Sequence, residues 1–471
     1  MTDGFKTRSL HAGQDPDETT GARAPPLHQT TSYVFEDAET AADLYALAPD
    51  ADGDVYSRIS NPTVRTLEDR LAALEGGVAA VATASGMAAL DAATSVLARA
   101  GNNIVVAADM YGGTATYFRQ MATRRGITIR TVDTLAYDEY TEEIDSETAF
   151  VHVETIANPS LKTPDIERIA DIAHNAETPL VVDNTFATPA LSRPIEYGAD
   201  IIWESTTKWL HGSGTTVGGI LVDGGTFPWE HADYDELSGE NPTFGIDFVD
   251  RYGAAAFAHV ARQRALRTLG NQQSPFDAWQ TLQGLETLPL RMERHCANAK
   301  TVAIFLRNHN DVAWVSYPGF EDHPTHDKAT QYLGTDIVES GYGGMLTFGL
   351  EGGFEVAKRT CEETSVISFL ANVGDAKTLI IHPASTTHAQ LSAEEQQAAG
   401  LTPDMLRLSV GLEDPDDIID DLNQAIHSAT MQSEDYTRRE GTHTNLAHTT
   451  DKRTDSDSNT RQTDTEVASS E

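Results

Sequence analysis

The sequence predicts an α/β protein: a mostly parallel sheet flanked by helices in a large domain, followed by a smaller C-terminal α/β domain. Three observations predict it. Between residues 66 and 265 short apolar runs alternate with stretches of helical spacing, and strands that alternate with helices build parallel sheets. A second such series runs from 266 to about 428. The chain has 471 residues, too many for one core, since single cores stop growing at about 250–300 residues.

The elements follow in order. Residues 1–65 are polar, rich in Pro and Gly and show little periodicity; they read as an extended arm that needs another surface to become ordered. TVRTLEDRLAALEGG (63–77) has apolar residues at helical spacing and stops at Gly76-Gly77. VAAVATAS (78–85), NIVVAAD (103–109), TAFVHVET (148–155), PLVVDNT (179–185), DIIWEST (200–206) and GGILVDGG (218–225) are strand-like. GMAALDAATSVLARA (86–100) and a stretch near 114–125 are helix-like, and 226–265 looks irregular and holds several aromatics. A long helical stretch is predicted over 273–309, then strands within 343–352, 377–385 and 405–413. Residues 66–265 therefore read as the large domain and 266–428 as the small one. Residues 429–471 carry too few large apolar side chains to offset the entropy of ordering and read as a disordered tail.

Composition excludes some functions. There are 33 basic and 72 acidic residues, a net charge of −39. A nucleic-acid binder needs a basic face, and an anionic membrane repels this chain for the same reason. Few of the basic residues are lysine, which fits adaptation to a high-salt cytoplasm where cations screen self-repulsion; a merely solubilising acidic surface is the plainer alternative. Cys296 and Cys361 fit no metal-ligand spacing, and the i, i+6 pair His382 and His388 lacks a third ligand nearby, so no metal is expected. No secretory h-region is visible and no run reaches the roughly 18 apolar residues of a membrane span. A cytoplasmic protein is expected.

Chemistry concentrates at a few positions. Lys208 follows Ser205, Thr206 and Thr207 and precedes glycine-rich chain, which gives a nucleophilic amine room; alone it would read as a surface lysine beside a turn. Ser205 and Thr207 alternate with Thr206 and suit a phosphate. Asp183 ends an apolar run, where ligands of open α/β sheets bind, and a carboxylate there can hold a pyridinium nitrogen protonated; a helix cap is the alternative. ASGMAAL (84–90) opens a helix with Gly86 and Met87 directly after a strand, and the free N–H groups of that helix end suit a phosphate. Tyr111 can stack on a planar ring or simply pack. Asn158 can hydrogen-bond a ring hydroxyl or form an Asn-Pro turn. Arg407, in an apolar run, needs an anionic partner, either a substrate carboxylate or a structural acid.

These motifs resemble the cysteine/methionine-metabolism family of pyridoxal 5′-phosphate (PLP)-dependent, fold type I enzymes. The resemblance covers residues 5 to 428 and rests on YSRISNPT (56–63), ATASGMAA (82–89), MYGGT (110–114), ETIANPSL (154–161), VVDNTFATP (181–189), STTKWLHGSGTTVGG (205–219) and LANVGDAKTLIIHPASTTH (370–388). It implies that Lys208 is the Schiff-base lysine, that Asp183 pairs with the pyridine nitrogen and that Tyr111 stacks on the ring. It implies phosphate ligands at Gly86, Met87, Ser205 and Thr207. Tyr56 and Arg58 would reach the phosphate of a neighbouring subunit, giving the arm its surface and making the active unit a dimer, paired into a tetramer. Arg407 and Asn158 match positions that bind substrate carboxylate and cofactor, and Asn372 falls in the substrate-binding block.

Within the family the chain is most similar to O-acetylhomoserine sulfhydrylases. Cystathionine synthases and lyases carry Ser-Leu-Gly where this chain has Asn372-Val373-Gly374, and methionine γ-lyases carry Cys at the position of Gly113. The implied reaction is γ-replacement: sulfide or a small thiol displaces acetate from O-acetylhomoserine, giving homocysteine or methionine. Lys208 moves protons at Cα and Cβ, and Tyr111 assists the leaving acetate. The alternatives are a cystathionine γ-synthase, cystathionine γ-lyase or methionine γ-lyase and, more distantly, a non-catalytic scaffold that kept the fold.

Overall fold

The computed structural model describes residues 3–447 apart from positions 49, 50, 52, 232, 233, 336, 339, 340, 391 and 399. Seven strands form one sheet: β1 (Ala79–Thr83), β2 (Asn103–Ala107), β3 (Thr128–Val132), β4 (Thr148–Glu154), β5 (Leu180–Asp183), β6 (Ile201–Glu204) and β7 (Gly219–Asp223). Their order is β1-β7-β6-β5-β4-β2-β3. β2 to β6 pair in parallel, whereas β7 runs antiparallel to both β1 and β6.

β2, β4, β5, β6 and β7 are buried at every residue, which is why they read as continuous apolar runs. Successive residues face opposite ways. Val182 and Ile202 join Leu67, Leu71 and Leu74 of the helix Pro62–Glu75 on one face, while Val181 and Trp203 join Leu90 and Phe118 on the other. The predicted strands all form. β3 is an addition: its TIRTV sequence buries only Val132 at the sheet edge, so it lacks an apolar run. The irregular stretch 226–265 is an aromatic cap on the second face, with Phe227, Trp229, Tyr234, Phe248 and Phe257 all buried.

The second sheet contains β8 (Val312–Ser316), β9 (Met345–Leu350), β10 (Ser368–Phe369), β11 (Leu379–Ile381) and β12 (Met405–Ser409). Its order is β10-β11-β12-β9-β8, and only β10 and β11 pair in parallel. The predicted long helix divides into Pro275–Glu286 and Leu288–Arg307. Pro289 explains the break, since a proline disfavours helical backbone just before it and supplies no N–H.

Two segments differ from the sequence reading. Part of the N-terminal arm is ordered on its own chain: Phe5 is buried against the helix Pro62–Glu75, and Arg70 donates to Ala12 O at 3.0 Å and to Gln14 Oε1 at 2.6 Å. The last helix, Pro415–Ala447, runs past the tail boundary expected at 428. Ile418, Leu422, Ile426 and Ala429 form one buried stripe at helical spacing, which carries the helix across that boundary. Residues 448–471 of the expected tail lie outside the described residues.

Candidate active site

Parallel strands bring their C-terminal ends to one side, where ligands of such sheets bind. Glu154 and Asp183 lie side by side there, paired in register, and Asp183 is paired with Trp203 of β6. Over them opens a cavity of about 1020 Å³. Its lining includes Lys208, Asp183, Tyr111, Gly86, Met87, Ser205, Thr207, Asn158, Asn372 and Arg407. Tyr56 and Arg58 do not line it. They stand together elsewhere on the chain, with the Arg58 guanidinium 5.4 Å from the centre of the Tyr56 ring, and Tyr56 is exposed.

Asp183 is 7% exposed. Its Oδ1 accepts from Thr185 N at 2.9 Å, and no cation pairs with it among the described residues. Burial pushes its pKa up to about 7. Glu154 is also buried, and burial followed by the charge of Asp183 raises its pKa well above the carboxylate range. Its Oε1 accepts from Tyr111 N at 2.5 Å and its Oε2 from Asn158 N at 3.0 Å. One carboxyl group thus ties together the two turns that carry Tyr111 and Asn158. Glu154 opens ETIANPSL without a local signal of its own; only its position opposite Asp183 in the ladder marks it.

Lys208 lies in the loop between β6 and β7. Its Nζ donates to Asn372 Oδ1 at 2.5 Å. Burial, then the Arg407 guanidinium, lowers its pKa to about 8. The loop carrying Asn372 approaches so closely that a Cβ on Gly374 would fall 2.6 Å from Trp209 N and 2.9 Å from Lys208 C. With φ of +75° as well, this position requires glycine. Arg407 is largely buried, and burial lowers its pKa to about 10. It donates from Nη1 to Asn158 Oδ1 at 3.1 Å and makes no ion pair among the described residues, so its charge is free for a ligand.

The helix Gly86–Leu97 starts at the cavity. Ser85 caps it by accepting from Ala88 N at 3.2 Å, which leaves the Gly86 and Met87 N–H groups without intrahelical acceptors. A Cβ on Gly86 would meet Ser205 Cβ at 2.9 Å, so the absence of a side chain lets the helix end reach the Ser205 segment. Ser205 lines the cavity. The Thr207 hydroxyl is already engaged with Gly218, donating to its O at 3.2 Å and accepting from its N at 3.1 Å. Tyr111 is 46% exposed and its ring lies over Gly113, where a Cβ would fall 2.4 Å from Cε1.

This donor set fits one kind of ligand. A buried carboxylate without a counter-cation could hold a cationic ring nitrogen. A helix N-terminus with Ser205 could hold a phosphate, Tyr111 a ring face, and Lys208 an aldehyde carbon. Pyridoxal phosphate carries all four groups. Among the described residues no cluster of His, Cys, Asp or Glu could hold a metal, and no helix is long and apolar enough to cross a membrane.

Known proteins are similar to this chain over most of its length. The sequence profile described as Cys/Met metabolism PLP-dependent enzyme matches residues 6–427. The homocysteine synthase of Schizosaccharomyces pombe is 47% identical over 90% of this chain and 98% of its own. O-acetyl-L-homoserine sulfhydrylase 1 of Thermus thermophilus is 47% identical over 90% and 99%. A Campylobacter jejuni structure assigned as an O-acetylhomoserine (thiol)-lyase, holding a pyridoxyl-lysine phosphate, superimposes with a TM-score of 0.86 at 37% identity, covering 90% of this chain and 100% of that one.

Proposed function

The chain belongs to the Cys/Met metabolism family of PLP-dependent enzymes, and on that premise we propose that it replaces the acetate of O-acetylhomoserine with sulfide or a small thiol, giving homocysteine or methionine. The observation that carries the reading is the placement of the Lys208 amine. It sits within reach of Asn372 and beside the unpaired charge of Arg407, in the same cavity as the buried Asp183. The relatives named as sulfhydrylases and homocysteine synthases point to this substrate class.

Pyridoxal phosphate, when bound, supplies the electron sink that lets the Cα proton leave and acetate depart from Cγ. The protein's residues do the rest. Lys208 would be the attachment point and is the base: it takes the proton at Cα and then one at Cβ so that acetate can leave from Cγ, and it returns both once sulfur has added at Cγ. A pKa of about 8 leaves roughly a tenth of that amine neutral at pH 7. Asn372 aims the amine. Arg407, steadied by Asn158, binds the substrate carboxylate as a bidentate partner. Asp183 supplies the counter-charge to the ring nitrogen, and Tyr111 covers the ring and assists the departing acetate. Gly86, Met87 and Ser205 hold the phosphate, and Thr207 joins them by releasing Gly218.

Tyr56 and Arg58 complete the phosphate site of a neighbouring subunit, so the working unit is a dimer and its pairing a tetramer. The exposed arm side chains support this: Val34 is fully exposed and Leu27 is 40% exposed, two apolar side chains that a second surface would cover. The enzyme works in the cytoplasm, and its acidic surface suits a salty one.

The test is an assay of the purified, PLP-loaded enzyme with O-acetylhomoserine and either sulfide or cysteine. Homocysteine from sulfide is expected; its absence, or cystathionine as the main product, overturns the assignment.

A further inference from the structure

Replacement leaves one proton unassigned. Sulfide and small thiols carry an S–H proton in their neutral form. That proton must leave as the new C–S bond forms. Lys208 is committed to the carbon skeleton and Arg407 to the carboxylate.

His388 lines the same cavity on the side of Tyr111. Its ring stands over the backbone of Gly112, where a Cβ would lie 3.3 Å from Nε2. Nδ1 lies 2.9 Å from the Thr387 hydroxyl, and the tautomer that donates there leaves the Nε2 lone pair unused. Nε2 has no hydrogen-bond partner among the described residues. The turn is anchored at both faces: His388 N donates to Pro383 O at 3.0 Å, and Gln396 Nε2 donates to His388 O at 2.8 Å. These bonds fix the turn, and the Thr387 hydroxyl holds the ring of a residue that lines the cavity.

We propose that Nε2 of His388 receives the S–H proton of the incoming sulfide or thiol, an assignment that rests on the replacement reaction above. Acetate departs from Cγ with the C–O electron pair. A sulfur lone pair forms the C–S bond in its place, the S–H bond breaks, and the proton moves to Nε2. The imidazolium then gives that proton to solvent through the cavity mouth. Burial, and then the charge of Arg407, keeps the imidazole pKa below its ordinary value, so the ring is a ready acceptor near pH 7.

The test uses PLP-loaded His388→Gln and His388→Leu enzymes with O-acetylhomoserine at varied sulfide. Homocysteine reports capture by sulfide. Ammonia and 2-oxo acid report substrate that loses acetate without capture. In both variants the ratio of capture to release should fall at least about tenfold, with a raised sulfide KM, and added imidazole should restore part of the capture in His388→Leu. A purely structural role would depress both products together and leave the ratio where it was, which overturns the assignment. If the unmodified enzyme forms neither product from O-acetylhomoserine, the replacement reading falls first and the His388 assignment with it.

Discussion

Asp183 and Glu154, under the cavity, are 7% and 4% exposed, whereas Tyr111 and Tyr56 are 46% and 42% exposed. The buried pair sits on adjacent strand ends, locked in the sheet ladder. The exposed tyrosines sit on turns, one at the cavity and one away from it. In the floor, desolvation sets the chemistry: it raises both acids and lowers Lys208. Around the rim, position is set by short contacts such as the Tyr111 N–H bond to Glu154. A single chain builds the dry half of such a site by itself, and the wet half is where the proposed second subunit would act.

The comparison can be broken first at Lys208. Lys208→Ala should lose turnover by about 10⁴-fold and lose the absorbance of lysine-bound PLP near the visible–UV border. A coloured, active variant would mean that the floor is misassigned. Next, Asp183→Asn should cost about 3 kcal/mol of ring stabilisation, roughly a hundredfold in rate. Its empty form tests the burial argument from another side. In the empty protein a carboxyl with a pKa raised to about 7 contributes stability at low pH that is lost as pH rises through about 7. The gain in melting temperature on PLP loading should therefore grow across that range in the native protein and grow less in Asp183→Asn, where only the Lys208 amine still titrates.

Away from the cavity of its own chain, Arg58→Ala should weaken PLP binding by about tenfold. If Arg58 serves a neighbour, mixing Arg58→Ala with Lys208→Ala subunits should regenerate sites that have both residues, and activity should reappear. Mixtures that stay inactive would assign Arg58 to its own chain. A smaller effect joins the two regions. PLP capture by the empty protein should rise with pH through about 8, the Lys208 value, and Arg407→Gln should move that midpoint upward by removing a neighbouring charge. Last, the −39 net charge predicts that the melting temperature climbs with KCl as self-repulsion is screened. Equal stability at low and multimolar salt would separate the acidic surface from any salt adaptation.

The floor was the more legible half, for a physical reason. Buried strands need continuous apolar runs, so PLVVDNT and DIIWEST locate β5 and β6, and their polar ends mark Asp183 and the approach to Lys208. Glu154 was harder, because its two hydrogen bonds join residues of different turns and depend on strand order. The occupied hydroxyl of Thr207 was also invisible, since its partner Gly218 lies across a folded loop. The ordering of the helix past 428 rests on packing against Val356, Ala357 and Cys361 in the same buried cluster, which local composition cannot reveal.

β7 runs antiparallel to β6, so the loop that carries Lys208 leaves one strand and returns on its immediate neighbour, with Glu204 paired to Ile220 across the ladder. The amine is thus held in a closed lasso anchored at both feet. For protein engineering this separates two kinds of breakpoint. New chain ends placed between β2 and β3 would open an edge of the sheet and leave the lasso intact. New ends placed between 205 and 218 would turn the attachment point into a dangling arm, and a circular permutant opened there should fold yet fail to retain its cofactor.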